Sequence, residues 1–175
     1  MLLSSIFKNA PEIEIEQLST DSRLPMKNAI FFCISGQKFD GHDYIDEAIK
    51  NGAKVIVYSN DIEKNEKAIY VKVKNVYAVL ISVSKLFFND PTNKIDSYVV
   101  SGCYGRSSVS TLIYRYLNTK FHAGYIGRFG IKYENNNLSI STPTIDTIDY
   151  FRYLSKMEDY NVKAVTFEAS STSLE

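Results

Sequence analysis

The sequence predicts an α/β protein in two successive parts. Short β-rich apolar runs alternate with segments of helical periodicity, and one such run feeds straight into a glycine turn and a helix. A cluster of Pro, Asn and charge at Pro91–Asp96 separates two textures, giving expected parts at 1–93 and 97–175. With 175 residues and an ordinary apolar fraction, the chain has room for two small domains with real cores.

The first predicted element is a buried strand over Asn28–Ser35 (NAIFFCIS), short, continuous and aromatic. A helix follows from about Asp43, with Tyr44, Ile45, Ala48 and Ile49 on one face and Gly52 where a left-handed cap belongs. Lys54–Tyr58 and Ala68–Val73 read as strands. Val76, Val79, Leu80, Val83 and Phe87 mark a helix that Asp90-Pro91 ends. In the second part SYVV, from Ser97, is a strand, and Val109 to about Asn118 is helical. Phe129–Tyr133 and Leu138–Thr142 flank Glu134–Asn137 as a hairpin, because Asn tolerates the positive φ of tight turns. Pro143 is expected to open a helix containing Ile145, Ile148, Leu154 and Met157, and Lys163–Phe167 forms a last strand ending in Glu168. A sheet ending on that strand is expected to leave an unpaired edge and an apolar helix face, hence a marginally folded second part.

Acidic and basic residues balance at 20 each, so no global field exists to hold nucleic acid or an anionic membrane. Any anionic ligand must be held locally. No apolar run reaches the roughly 20 residues of a membrane span, and the opening segment lacks signal-peptide features, which together predict a cytoplasmic protein without membrane insertion. Two cysteines, Cys33 and Cys103, are too few for a disulfide framework and are expected as reduced thiols. His42 and His122 stand alone, with no metal-ligand spacing around them.

The loop Gly102-Cys103-Tyr104-Gly105-Arg106-Ser107-Ser108 has the form of a short phosphate loop, G-x-x-G-K-[ST], with Arg in the lysine position. Glycines let backbone N–H groups turn onto phosphate oxygens, the following helix adds its positive end, and a hydroxyl can reach a metal. An ordinary strand-to-helix turn is the competing reading. Arg106 keeps the charge but is a planar fork instead of a compact point charge. Cys103, at a helix N-terminus, has no base partner nearby in sequence and is read as a small turn residue.

Several segments, in order, resemble the Mur ligase family, MurE type. Thr20-Asp21-Ser22-Arg23, Ile30-Phe31-Phe32, Ser35 to Ile45, Ala48-Ile49 and Gly52-Ala53 are similar to its N-terminal uridine-nucleotide domain. The resemblance continues through Phe87–Pro91, the glycine loop, Tyr125-Ile126-Gly127, Ser141-Thr142-Pro143 and Glu168-Ala169-Ser170-Ser171. It implies a small uridine-nucleotide-binding domain over 1–93, followed over 97–175 by the first part of a central ATP-binding domain.

In that family ATP phosphorylates the carboxylate of a UDP-N-acetylmuramoyl peptide, and an incoming amino acid attacks the acyl phosphate to form an amide. The resemblance places the uridine nucleotide on Thr20, Ser22, Gln37, Lys38 and Phe39, and the muramoyl substrate on Ser141, Thr142 and Ser171. It places ATP on Gly102 to Ser108, and magnesium on Ser107 and Glu168. Asp21 and Arg23 are either contacts or a local ion pair, and Glu168 is either a metal ligand or a solvated strand-end carboxylate. Departures from the family pattern concentrate at the ATP and metal positions: Cys103-Tyr104 for Thr-Asn, Arg106 for Lys, Gly127-Arg128 for Gly-Thr, and Thr172 for His. The second part is also shorter than a family ATPase domain. The expectation is therefore a truncated, catalytically inactive version, with no residue singled out as catalytic. A binding or interaction module for UDP-muramoyl peptides is the alternative from another class, and an unrelated phosphate-loop hydrolase a third.

Overall fold

The apolar runs become the interior strands of two separate sheets in the computed structural model, which describes residues 1–36, 39–140 and 145–169. Backbone packing divides the chain into two units, Met1–Phe87 and Phe88–Glu175.

The first unit is a four-stranded parallel sheet in sequential order: β1 (Gln17–Ser19), β2 (Ala29–Phe32), β3 (Ala53–Tyr58) and β4 (Ile69–Lys72). All four residues of β2 are buried, as a strand covered on both faces requires. Phe31, Cys33, Ile45, Ala48, Ala53, Ile56 and Tyr58 form one apolar cluster, with Ile45 and Ala48 supplied by α1 (Ile45–Lys50). Gly52 follows α1 at φ +108°, and a Cβ there would lie 2.0 Å from the Met26 carbonyl oxygen. Only glycine satisfies both demands. Val76, Leu80 and Val83 of α2 (Val76–Phe87) turn inward with the spacing read from the sequence. The strand β1, only three residues long, carried no sequence signal.

The second unit is a five-stranded mixed sheet. Its strands are β5 (Asp96–Ser101), β6 (Ala123–Gly127), β7 (Gly130–Tyr133), β8 (Asn136–Leu138) and β9 (Ala164–Ala169), in the order β5-β9-β6-β7-β8. The trio β5, β9 and β6 is parallel, whereas β6-β7 and β7-β8 are antiparallel. Strand alternation separates the two faces. Ala123, Tyr125, Ala164 and Glu168 point toward α3 (Arg106–Leu117), while Ile126 and Val165 meet Leu154 and Met157 of α4 (Thr147–Asp159). Among the described residues, no helix is long and apolar enough to cross a membrane.

Four expectations are corrected. Helix α3 begins at Arg106, three residues earlier than periodicity suggested, because Gly105 takes the left-handed N-cap conformation at φ +75° and the chain turns directly into the helix. Helix α4 begins at Thr147, where the Asp146 carboxylate caps it by accepting from the Asp149 N–H at 2.7 Å; Pro143 lies outside the described residues. The β7-β8 hairpin is tighter than expected, since Tyr133 pairs with Asn136 and Glu134, not an Asn, holds the positive φ of 51°. Finally, β9 is not the sheet edge. It lies between β5 and β6, and the edges are β5, with Val99 54% exposed, and β8.

Leu154, fully buried between α4 and the sheet, anchors the second core. Leu154→Ala is expected to lower unfolding free energy by about 2–5 kcal/mol, measured by chemical denaturation; a loss under about 1 kcal/mol would show that this core is already loosely packed.

Candidate functional site

The end of β5 opens into Gly102 at φ +151° and Gly105 at φ +75°, and α3 starts at once. No side chain caps α3, so the N–H groups of its first turn have no partner within the helix. Cys103, Tyr104 and Ser108 are exposed around them, Tyr104 at 96%. This is the geometry of an anion site at a helix N-terminus. Arg106 folds back over the loop: its Nη1 donates to the Gly102 carbonyl at 3.4 Å and its Nε lies 3.7 Å from Glu168 Oε2.

Glu168 stands at the end of β9, beneath the loop, and is 1% exposed. The solvated-carboxylate reading is thereby overturned. Ser107 Oγ donates to its Oε2 at 2.7 Å, and Ser110 Oγ donates to Oε1 at 3.0 Å. The Arg128 N–H donates to Oε1 at 3.3 Å, and the Tyr125 hydroxyl donates to the same oxygen. Burial, and then this hydrogen bond to Glu168, push the Tyr125 phenol up to about 12, so at neutral pH it stays a donor. A Cβ at Gly127 would lie 2.4 Å from Glu168 Oε1, so glycine is what allows the β6-β7 turn to close on the carboxylate. Sequence reading did not assign Ser110, Tyr125 or Gly127 to this cluster. The available signal was the i, i+3 spacing of Ser107 and Ser110, which puts both hydroxyls on one helical face.

Magnesium is tested by this donor set. A carboxylate offers about four lone-pair sites; here Oε1 accepts three hydrogen bonds and Oε2 one, and the Arg106 guanidinium stands 3.7 Å from Oε2. Among the described residues no group of three or more His, Cys, Asp or Glu is gathered to hold a metal. Ser107 and Glu168 are adjacent as expected, but they do not fit a metal bound through the carboxylate.

In the first unit, a cavity of about 450 Å³ is lined by Thr20, Asp21, Ser22, Arg23, Phe31, Ile34, Phe39, Gly41, Tyr44 and Glu47. The structure thus brings together Thr20, Ser22 and Phe39, whereas Gln37, Lys38, Ser141, Thr142 and Ser171 lie outside the described residues. Ser22 is buried, donates its hydroxyl to the Glu47 carboxylate and has its carbonyl held by the Asn51 side chain at 2.7 Å. Phe39, 70% exposed, offers an open aromatic face. Asp21 and Arg23 form the local ion pair, with Arg23 Nε and Nη2 donating to the carboxylate at 2.9 and 2.7 Å. That hydrogen bonding holds the Asp21 carboxyl below its usual range. His42 is structural: its Nδ1 meets Asp40, and its Nε2 accepts the Ser59 and Asn60 N–H groups at 3.1 and 3.3 Å. A second cavity of similar size, lined by Ile13, Glu14, Lys54 and Ile69 among others, contains none of the candidate residues.

A parallel sheet bearing a polar cavity, and a second sheet whose leading strand ends in a glycine loop, define a two-part α/β protein. Comparison makes this specific. The family model described as "Mur ligase family, catalytic domain" matches residues 14–87, inside the first unit. A UDP-N-acetylmuramoyl-L-alanyl-D-glutamate--2,6-diaminopimelate ligase of Rickettsia typhi is 35% identical over 182 residues, covering 99% of this chain and 35% of the relative. The ligase of the same name from Lactiplantibacillus plantarum is 32% identical, over 93% of this chain and 33% of the relative. A solved structure of a ligase of that name superposes with a TM-score of 0.77 at 16% identity, over 99% of this chain and 37% of the other, which shows the shared fold. The chain belongs to the Mur ligase family, a family of peptidoglycan-building ligases, and the relatives it matches are of the MurE type. It spans about a third of the length of those curated relatives.

Tyr125→Phe removes one donor from a carboxylate that is 1% exposed. The expected loss is about 1–3 kcal/mol in thermal or chemical denaturation, and an unchanged stability would show that Glu168 is not held by this hydroxyl.

Proposed function

We propose that this chain binds the uridine-nucleotide end of a UDP-N-acetylmuramoyl peptide in the cavity of residues 1–93 and a nucleotide phosphate on the loop of residues 97–175, without forming an amide by itself. The observation that carries the reading is the gathering of Thr20, Ser22 and Phe39 around one cavity. That cavity falls within the segment matching the family. Phe39 offers a stacking face for a base, and the Thr20 hydroxyl a polar contact. The neighbouring Gln37 and Lys38, with Ser141, Thr142 and Ser171, are assigned to the same substrate through the family resemblance alone.

For ATP, the residues that would hold the phosphates are Gly102 to Ser108, through the N–H groups of the first turn of α3, which have no partner within the helix, while the Ser107 hydroxyl is committed to Glu168. Bound ATP supplies the phosphoryl group of the family reaction. This chain's own part is to orient and neutralise phosphate charge. Turnover is not proposed, because phosphoryl transfer depends on several positioned groups at once. Here Arg106 replaces the loop lysine and Glu168 is already claimed by protein donors. The second reading, a non-catalytic binding or interaction module for the same UDP-peptide, is favoured by that sequestration. We place either activity in the cytoplasm, with no role for nucleic acid or membrane insertion.

Calorimetry with UDP-N-acetylmuramoyl-L-alanyl-D-glutamate is expected to give saturable heat, weakened about tenfold, or about 1.4 kcal/mol, by Phe39→Ala. Absence of heat sinks the uridine-site reading. The loop has its own reporter: Cys103 is exposed, whereas burial pushes the Cys33 thiol up to about 12, so mild alkylation should modify Cys103 alone. ADP is expected to slow that alkylation at least several-fold, and equal rates with and without ADP would contradict nucleotide binding at the loop.

A further inference from the structure

We infer that Arg106 is the resident cation of the glycine loop, standing where a divalent metal would otherwise balance Glu168, so that this loop accepts phosphate groups without magnesium. The inference rests on the reading of Gly102–Ser108 as a phosphate site and concerns how that site balances charge.

Glu168 is a single buried negative charge, and such a charge requires a partner. Within the loop the partner is Arg106. Its Nε lies 3.7 Å from Glu168 Oε2, and its Nη1 is held by the Gly102 carbonyl, so the guanidinium bridges the strand end and the loop backbone. The remaining acceptor capacity of the carboxylate goes to Ser107 and Ser110 from α3, to the Tyr125 hydroxyl, and to the Arg128 N–H. Nor can the carboxylate swing freely toward the β6-β7 turn, because Gly127 is already so close that a Cβ would reach 2.4 Å. A divalent ion would have to remove hydrogen bonds and displace a permanent cation, leaving excess positive charge in a closed site. Magnesium demands near-octahedral geometry and gives up its waters reluctantly, so it is a poor competitor for such a carboxylate.

The guanidinium also keeps N–H groups beyond the two that face Glu168 and Gly102, and its side chain is 26% exposed. It can therefore offer a second edge to a phosphate entering over the α3 N-terminus. A compact lysine could not fork between the two partners and the ligand in this way. Phosphate charge is met by a fixed side-chain cation and helix N–H groups, with no metal bridge required.

The test uses the full chain and two readouts that do not need turnover. Manganese binding is followed by its electron paramagnetic resonance signal with no nucleotide present, in wild type, Glu168→Gln, Arg106→Gln, Arg106→Ala and Arg106→Gln/Glu168→Gln, each checked for native circular dichroism. Wild type is expected to show no Glu168-dependent manganese site. Both Arg106 variants should gain one, raising manganese affinity at least about tenfold above that of wild type, and adding Glu168→Gln to Arg106→Gln should abolish the gain. Manganese bound by wild type and lost in Glu168→Gln overturns the inference, as does unchanged manganese affinity in both Arg106 variants. Pyrophosphate affinity, measured by calorimetry in chelator and in magnesium, is expected to agree within about twofold, and a requirement for magnesium overturns the inference. No binding of pyrophosphate in either buffer overturns the phosphate-loop reading itself, and is distinguished from a failure of the Arg106 assignment because the manganese measurement involves no phosphate.

Discussion

The second unit is organised around one buried carboxylate. Taking Glu168 out of water costs several kcal/mol, and the cost is offset only if donors from separate elements arrive in register. They come from three places: the first turns of α3, the interior of β6, and the turn joining β6 to β7. Each of these elements is thereby fixed against the end of β9. The start of α3, the opening of the glycine loop and the tight approach of Gly127 are consequences of the same constraint. The network therefore holds the glycine loop in place from beneath.

The first unit solves a different problem. Its strands run parallel in sequential order, yet the connection from β1 to β2 is short and carries no helix among the described residues. That connection, residues 20–28, must therefore be held by side chains. Asp21 turns back on the Arg23 N–H at 3.0 Å and on its guanidinium, and Ser22 is fastened to Glu47 and Asn51 of the α1 end. The polar rim of the cavity and the fastening of the crossover are the same residues, which is why Ser22 is buried while Phe39 remains free to meet a ligand.

Elements that obey one local rule were legible in the sequence. Ala29–Phe32 and residues 55–58 are continuous apolar runs because both faces are covered, and α2 shows its period because one face is. Strand β6 was not legible, for a non-local reason. Its Ala-Gly-Tyr-Ile-Gly sequence lacks β-branched residues at positions where neighbours leave no room: a Cβ on Gly124 would meet Met157 Sδ at 2.7 Å, and one on Gly127 would meet Glu168. The early start of α3 was hidden likewise, since Ser107, Ser108 and Ser110 are weak helix formers. Two of those hydroxyls answer to a carboxylate some sixty residues further along the chain. The loop motif and Glu168 were both recognisable by resemblance, but their mutual engagement, and the presence of Arg106 between them, belong to the tertiary fold.

The central claim is that Glu168 is balanced by Arg106 and protein hydrogen bonds and not by a metal. Anomalous diffraction from crystals soaked in manganese tests this most directly. The account predicts no anomalous peak at the Glu168 oxygens, with the Arg106 guanidinium in density beside Oε2. A manganese ion ligated by Glu168 and Ser107, with Arg106 swung out of the loop, would contradict it.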